Sequence, residues 1–331
     1  MTSIPCTPLT QAQFAGLFFA LFTHITQSIR VKYTKTPYSC EQHIELLQSR
    51  GLIIPDADRA RKYISNIGYF RLTGYMYQFQ TKDGKHTFIE GTTFTEIIAH
   101  YQFDKKLRAL LMDYLERIEV SLRAKLTDTY SNVHGFYWYI NSAHYDDVHI
   151  FEQINAEIAE HFANPQEGFL KSFKLRYTAE SLPPSNMALE ILTLGKLSRL
   201  YKGLSNKAEK MAIAKDFGLP STILSSWFVY LTNVRNVCAH HSRLWNRRIT
   251  ADRPIIPTRK DYRFNEPLPE DFNTTVYGIV SLIVRLLDKM NPGNRFVEKL
   301  QLLMAEYPSV NIESMGFPKT WAENPAWVVP K

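Results

Sequence analysis

Apolar residues recur at intervals of three and four through most of the chain, the period of a helix with one buried face. The longest such stretch carries Ile97, Ile98, Tyr101, Leu107, Leu110, Leu111, Tyr114, Leu115, Ile118, Leu122 and Leu126, and predicts one long core helix. It opens in Thr93-Phe94-Thr95-Glu96, a capping box in which the threonine and the glutamate satisfy each other's backbone N–H groups. Ser39-Cys40-Glu41-Gln42 has the same form ahead of a short helix stopped by Gly51. Asp56 caps a further helix with Ala60, Tyr63, Ile64 and Ile67 on one side. Later helices are predicted over 147–163, 185–203, 206–217, 221–246, 271–290 and 293–307. Gly68 to Gly91 reads differently: Tyr75, Tyr77 and Phe79 alternate, Asp83-Gly84 suits a turn, and Thr87-Phe88-Ile89 follows, the pattern of a small β-hairpin. The expected fold is therefore mainly α, a helical bundle with a small N-terminal helical and β-hairpin appendage. It divides into an extension (1–32), the appendage (33–92), the helical domain (93–307) and an aromatic, proline-bearing tail (308–331).

Composition narrows the class. With 45% hydrophobic and 21% charged residues, the 331-residue chain can build a packed core. The apolar run Phe14 to Phe22 is about half the roughly 20 residues a membrane span needs. No basic residue precedes it, the first being Arg30, so it does not read as a signal peptide. The expectation is a cytoplasmic protein with no membrane partner. The run itself reads as a helix packed on the body, with a dimer arm or translated sequence upstream of the true start as alternatives. Cys6, Cys40 and Cys238 form no CxxC pair, and the ten histidines include no HExxH and no zinc-type spacing, so neither metal nor cofactor is called for.

Charge becomes informative once it is located. Residues 235–263 hold eight basic side chains against two acidic ones, +6 of the chain's net +7, while the other 302 residues carry 31 basic and 30 acidic groups. A focused basic stretch suits a polyanion, most simply nucleic acid; the alternative is a solvated helix end. Arg243, Arg247, Arg248 and Arg253 are the candidate RNA-binding residues within it.

The same stretch carries the candidate chemistry. On a helix over 221–246, Trp227, Tyr230, Leu231, Val234, Val237, Cys238 and Leu244 make an apolar stripe, and Arg235, Asn236, His240 and His241 interrupt it. Metal-independent RNA cleavage needs a proton taken from the ribose 2′-OH and one given to the leaving 5′-oxygen, work that suits a histidine titrating near neutrality. It also needs negative charge held on the transition state, which suits the forked donors of arginine. Asn236 could position either partner. At 100° per residue Arg235 and His240 lie about 140° apart around a helix, so either the helix distorts or the two groups converge from facing copies of the chain. Glu119 and Arg123, four apart on the long helix, are either a surface ion pair or a support that orients the site.

The string RNVCAHHSRLWNR resembles the signature of Abi-like (AbiD/AbiF-type) abortive-infection proteins, members of the HEPN superfamily. CEQHIELLQSRGLII, YISNIGYFRLTGY, GTTFTEIIAHYQFDKKLR, LERIEVSLRAKL and MGFPKTWAENPAW resemble that family's segments in the same order, covering about residues 33–328 and leaving out the extension. The resemblance implies a HEPN-type helical bundle and a homodimer with a composite site in which Arg235, Asn236 and His240 are the motif residues, His241 being an additional candidate. It further implies an RNA substrate, endoribonuclease activity in prokaryotic defence or toxin–antitoxin systems, and, for AbiF-like members, a small noncoding RNA as regulator. A non-catalytic protein that binds a regulatory RNA through 235–263 is the alternative.

Overall fold

The computed structural model describes residues 32–205, 207–264, 267–323 and Trp327; the run Phe14 to Phe22 lies outside them. Among the described residues twelve α-helices succeed one another: α1 (Cys40–Ser49), α2 (Ala57–Ile67), α3 (Tyr69–Met76), α4 (Phe94–His134), α5 (Val148–Ala163), α6 (Gly168–Arg176), α7 (Ser185–Ala188), α8 (Leu194–Gly203), α9 (Ala208–Asp216), α10 (Ser221–Ala239), α11 (Val276–Met290) and α12 (Phe296–Glu306). The mainly helical bundle anticipated from the sequence is what the chain forms.

Both capping boxes are made. Ser39 N–H donates to Gln42 Oε1 at 2.8 Å and Gln42 N–H to Ser39 Oγ at 3.2 Å, while Thr93 and Glu96 repeat the exchange at the start of α4. Asp56 caps α2 by accepting from Arg59 N–H at 2.8 Å. The 41-residue α4 is the spine, about 60 Å long at 1.5 Å per residue. It packs against α3, α8, α9, α10, α11 and α12, and α10 lies against α8, α9 and α11. One hydrophobic cluster joins Ile44 and Leu72 near the N-terminus, Leu107 and Leu122 on α4, Trp227 and Leu231 on α10, and Val310, Phe317 and Trp327 in the tail. Among the described residues no helix is long and apolar enough to cross a membrane.

The β-hairpin is not formed. Residues 69–79 are helical, and beyond them a single antiparallel bridge, Gln80 with Phe88, closes the turn at Asp83-Gly84. The aromatic alternation misled because Leu72, Tyr75, Met76 and Phe79 also recur at three, four and seven, and burial against α4 selects that period: Leu72, Tyr75 and Met76 are all buried. The helix expected over 185–203 is broken between Ala188 and Leu194. There Arg123 of α4 takes the Leu189 carbonyl (Nε, 3.0 Å) and the Leu192 carbonyl (Nη2, 2.9 Å), both of which a continuous helix would have used internally. The segment after α10 forms a strap over that helix. Trp227 Nε1 donates to the Ile255 carbonyl at 2.9 Å, and Ile255 N–H to Ser226 Oγ at 3.0 Å.

Candidate functional site

Helix α10 ends one residue before His240, not at 246. His241 N–H donates to the Cys238 carbonyl and Ser242 N–H to the Val237 carbonyl, both at 3.0 Å, the paired bonds of a Schellman stop. The left-handed position of that stop is His241, at φ 54°. Glycine usually fills it because a Cβ is unfavourable there, and with no glycine nearby the stop has no local signature. Tertiary bonds hold the conformation instead.

Two anchors supply them. The Arg71 guanidinium of α3 donates to the His241 carbonyl. Asp104, fully buried on α4, accepts from Leu244 N–H at 3.1 Å, from Trp245 N–H at 2.6 Å and from the Tyr75 hydroxyl at 2.5 Å, and is paired with the buried Arg108. Burial outweighs the pull of Arg108 and the three hydrogen bonds and holds the Asp104 carboxyl above its ordinary range, yet the geometry around it is that of the ionised form. Every one of these partners is a donor, the arrangement a carboxylate requires. Trp245 completes the joint, buried against Tyr75 and edge-on to His100. Sequence reading passed over Asp104 and Arg108, although a signal was present: Ile97, Asp104, Leu111 and Ile118 fall seven apart, so a carboxylate occupies an apolar heptad position of the long helix.

The turn leads the chain back along α10 and opens a cleft of about 360 Å³. One wall is Asn233, Asn236, Val237 and His240; the other is Ser242 and the run Arg247 to Ala251. Asn233 Nδ2 ties the walls by donating to Asp252 Oδ2 at 3.1 Å. Ile249 N–H donates to the Thr274 carbonyl at 2.9 Å, and Arg248 pairs with Asp271 at 2.7 Å, so the outer wall rests on the segment before α11.

The sequence-derived candidates fall into three groups. Asn236, His240, Arg247 and Arg248 line the cleft, with His240 exposed to solvent. Arg235 does not line the cleft; it is half-buried, and its Nη1 donates to Asn236 Oδ1 at 3.3 Å. The remaining candidates lie away from the cleft wall: His241 at the left-handed corner, Arg243 over Gly74 of α3, and Arg253 beside the buried Tyr230, whose hydroxyl burial pushes up and Arg253 pulls down. Glu119 and Arg123 pair at 2.9 Å, largely shielded from solvent, and brace the turn at 189–192. Cys238 is buried between the motif and Asp104; burial, reinforced by Asp104, pushes its thiol up to about 12, so it stays protonated and is no nucleophile.

Fold and site together define a mainly helical protein with an open, arginine-lined cleft where a motif helix ends. A family model described as Abi-like protein matches residues 62–246, more than half the chain, and the protein belongs to that family. The match takes in α3, the Asp104–Arg108 and Glu119–Arg123 pairs of α4 and all of α10, and it closes at Asn246, just past the turn. Membership suggests a part in abortive-infection defence. Comparison with curated proteins and with solved structures gave no match.

Proposed function

We propose that the protein is a HEPN-type endoribonuclease that cuts RNA without a metal ion and acts in abortive infection. The observation that carries this reading is the cleft itself, which brings one exposed histidine, His240, together with Arg247, Arg248 and Asn236, the last accepting a hydrogen bond from Arg235. In this reading His240 takes the proton from a ribose 2′-OH or returns one to the leaving 5′-oxygen. Arg235, aligned by Asn236, holds charge on the phosphorus as it becomes five-coordinate. Arg247 and Arg248 seat neighbouring phosphates. Two chains pair so that the arginine of one serves the histidine of the other, the arrangement that the angular separation of the two residues favours.

Purified protein incubated with total RNA in excess chelator is expected to leave 2′,3′-cyclic phosphate and 5′-OH ends, which end-specific sequencing would map. A strict requirement for divalent metal would refute the mechanism. RNA affinity with no turnover, indifferent to substitution of the histidines, would select a binding protein for a regulatory RNA instead. Exchanging Arg247 and Arg248 together for glutamate is expected to weaken RNA binding far more at low salt than at high. The slope of log affinity against log salt should fall by about two, one for each phosphate that the variant no longer neutralises. An unchanged slope would remove both residues from the interface.

A further inference from the structure

Two aromatic side chains stand nearly bare along α3, the helix that holds the motif turn through Arg71. Phe70 is 90% exposed and Tyr77 is 74% exposed. Tyr77 continues the helical backbone at the end of α3, so the two positions lie about 20° apart around the axis and roughly 10 Å apart along it. Gly74 sits between them on the same side. A Cβ at Gly74 would meet Arg243 Cδ at 3.7 Å and Nε at 3.8 Å, so the arginine from the motif loop lies across α3 in the interval between the two rings. The order along this face is ring, guanidinium, ring, and it runs into the loop that follows His241.

We propose that this face binds an unpaired stretch of RNA, its bases stacking on Phe70 and Tyr77 and a phosphate between them held by Arg243. The proposal rests on the RNA-cleavage reading and adds to it the class of substrate: single-stranded RNA. Exposed aromatic rings offer stacking surface for bases of any sequence, and such a platform is closed to a duplex, whose base faces are already covered. An apolar protein partner would leave Arg243 unpaired between the rings, whereas a polynucleotide matches both the rings and the charge.

The test uses the full chain with a single-stranded 2′-O-methyl oligonucleotide, which cannot be cut by 2′-OH attack, carrying 2-aminopurine as a fluorescent base. Wild type should quench the fluorophore. Phe70→Ala with Tyr77→Ala should lose the quenching and bind this probe about tenfold or more weakly, with duplex RNA affinity unchanged and Phe70→Trp with Tyr77→Trp restoring both. Both side chains are exposed, so an unchanged unfolding midpoint would accompany the loss. Undiminished quenching and affinity in the double alanine variant of a protein that still cuts RNA would overturn the proposal while leaving the nuclease reading intact. An equal loss on duplex, or a change in the sedimentation of the RNA-free variant, would also overturn it, the latter by assigning the face to a protein contact. A wild type that neither binds nor cuts any RNA would fail the nuclease reading itself.

Discussion

Replacing His240 by alanine is expected to lower RNA cleavage between about a hundred- and ten-thousand-fold, the range that one positioned acid–base group supplies. The folded state should be untouched, because His240 is exposed and its backbone N–H still caps α10 on the Asn236 carbonyl. His241→Gly should retain cleavage, since glycine is at ease in the left-handed conformation that His241 adopts at φ 54°. The sharper experiment mixes two dead proteins. In a symmetric dimer whose sites each take Arg235 from one subunit and His240 from the other, a chain carrying Arg235→Ala paired with one carrying His240→Ala rebuilds one intact site. Random pairing of equal amounts should then restore about a quarter of wild-type activity. Sites contained within single chains would show no recovery, and the shared-site arrangement would be lost with it.

Asp104→Ala should be the most damaging single change to stability. It strands Arg108 as an unpaired buried cation and leaves the Leu244 and Trp245 N–H groups and the Tyr75 hydroxyl without their acceptor. Breaking one side of a buried pair costs about 3–5 kcal/mol, and urea unfolding followed by circular dichroism would read it. Cleavage should fall as well, even under conditions where the variant remains folded, because the turn presenting His240 loses its anchor. A loss of unfolding free energy of less than about 0.5 kcal/mol would mean that Asp104 does not brace the motif.

The helices were legible because their signals are local. The threonine and serine capping boxes, the aspartate at position 56 and the three-four spacing of α4 each declare themselves within a few residues, and the chain forms them where they stand. Arg235, Asn236 and His240 stood out as candidates for a different reason: polar residues cut into an otherwise apolar helix, within a string that resembles the Abi-like signature. What could not be read is decided at long range. The end of α10, the break between α7 and α8 and the helical character of residues 69–79 all depend on partners on α4, which lie up to 141 residues away along the chain. Locally, residues 240–246 continue a helical pattern; only Asp104 and Arg71 make the turn the better state. The division of the basic arginines between the cleft, α3 and Tyr230 follows from that turn and was equally hidden.

The outer wall of the cleft hangs on Thr274 and Asp271, some thirty residues beyond His240. The motif is therefore translated before the segment on which the groove around it rests. A chain that stopped short of Asp271 would thus hold the residues of the proposed site without the architecture that frames them.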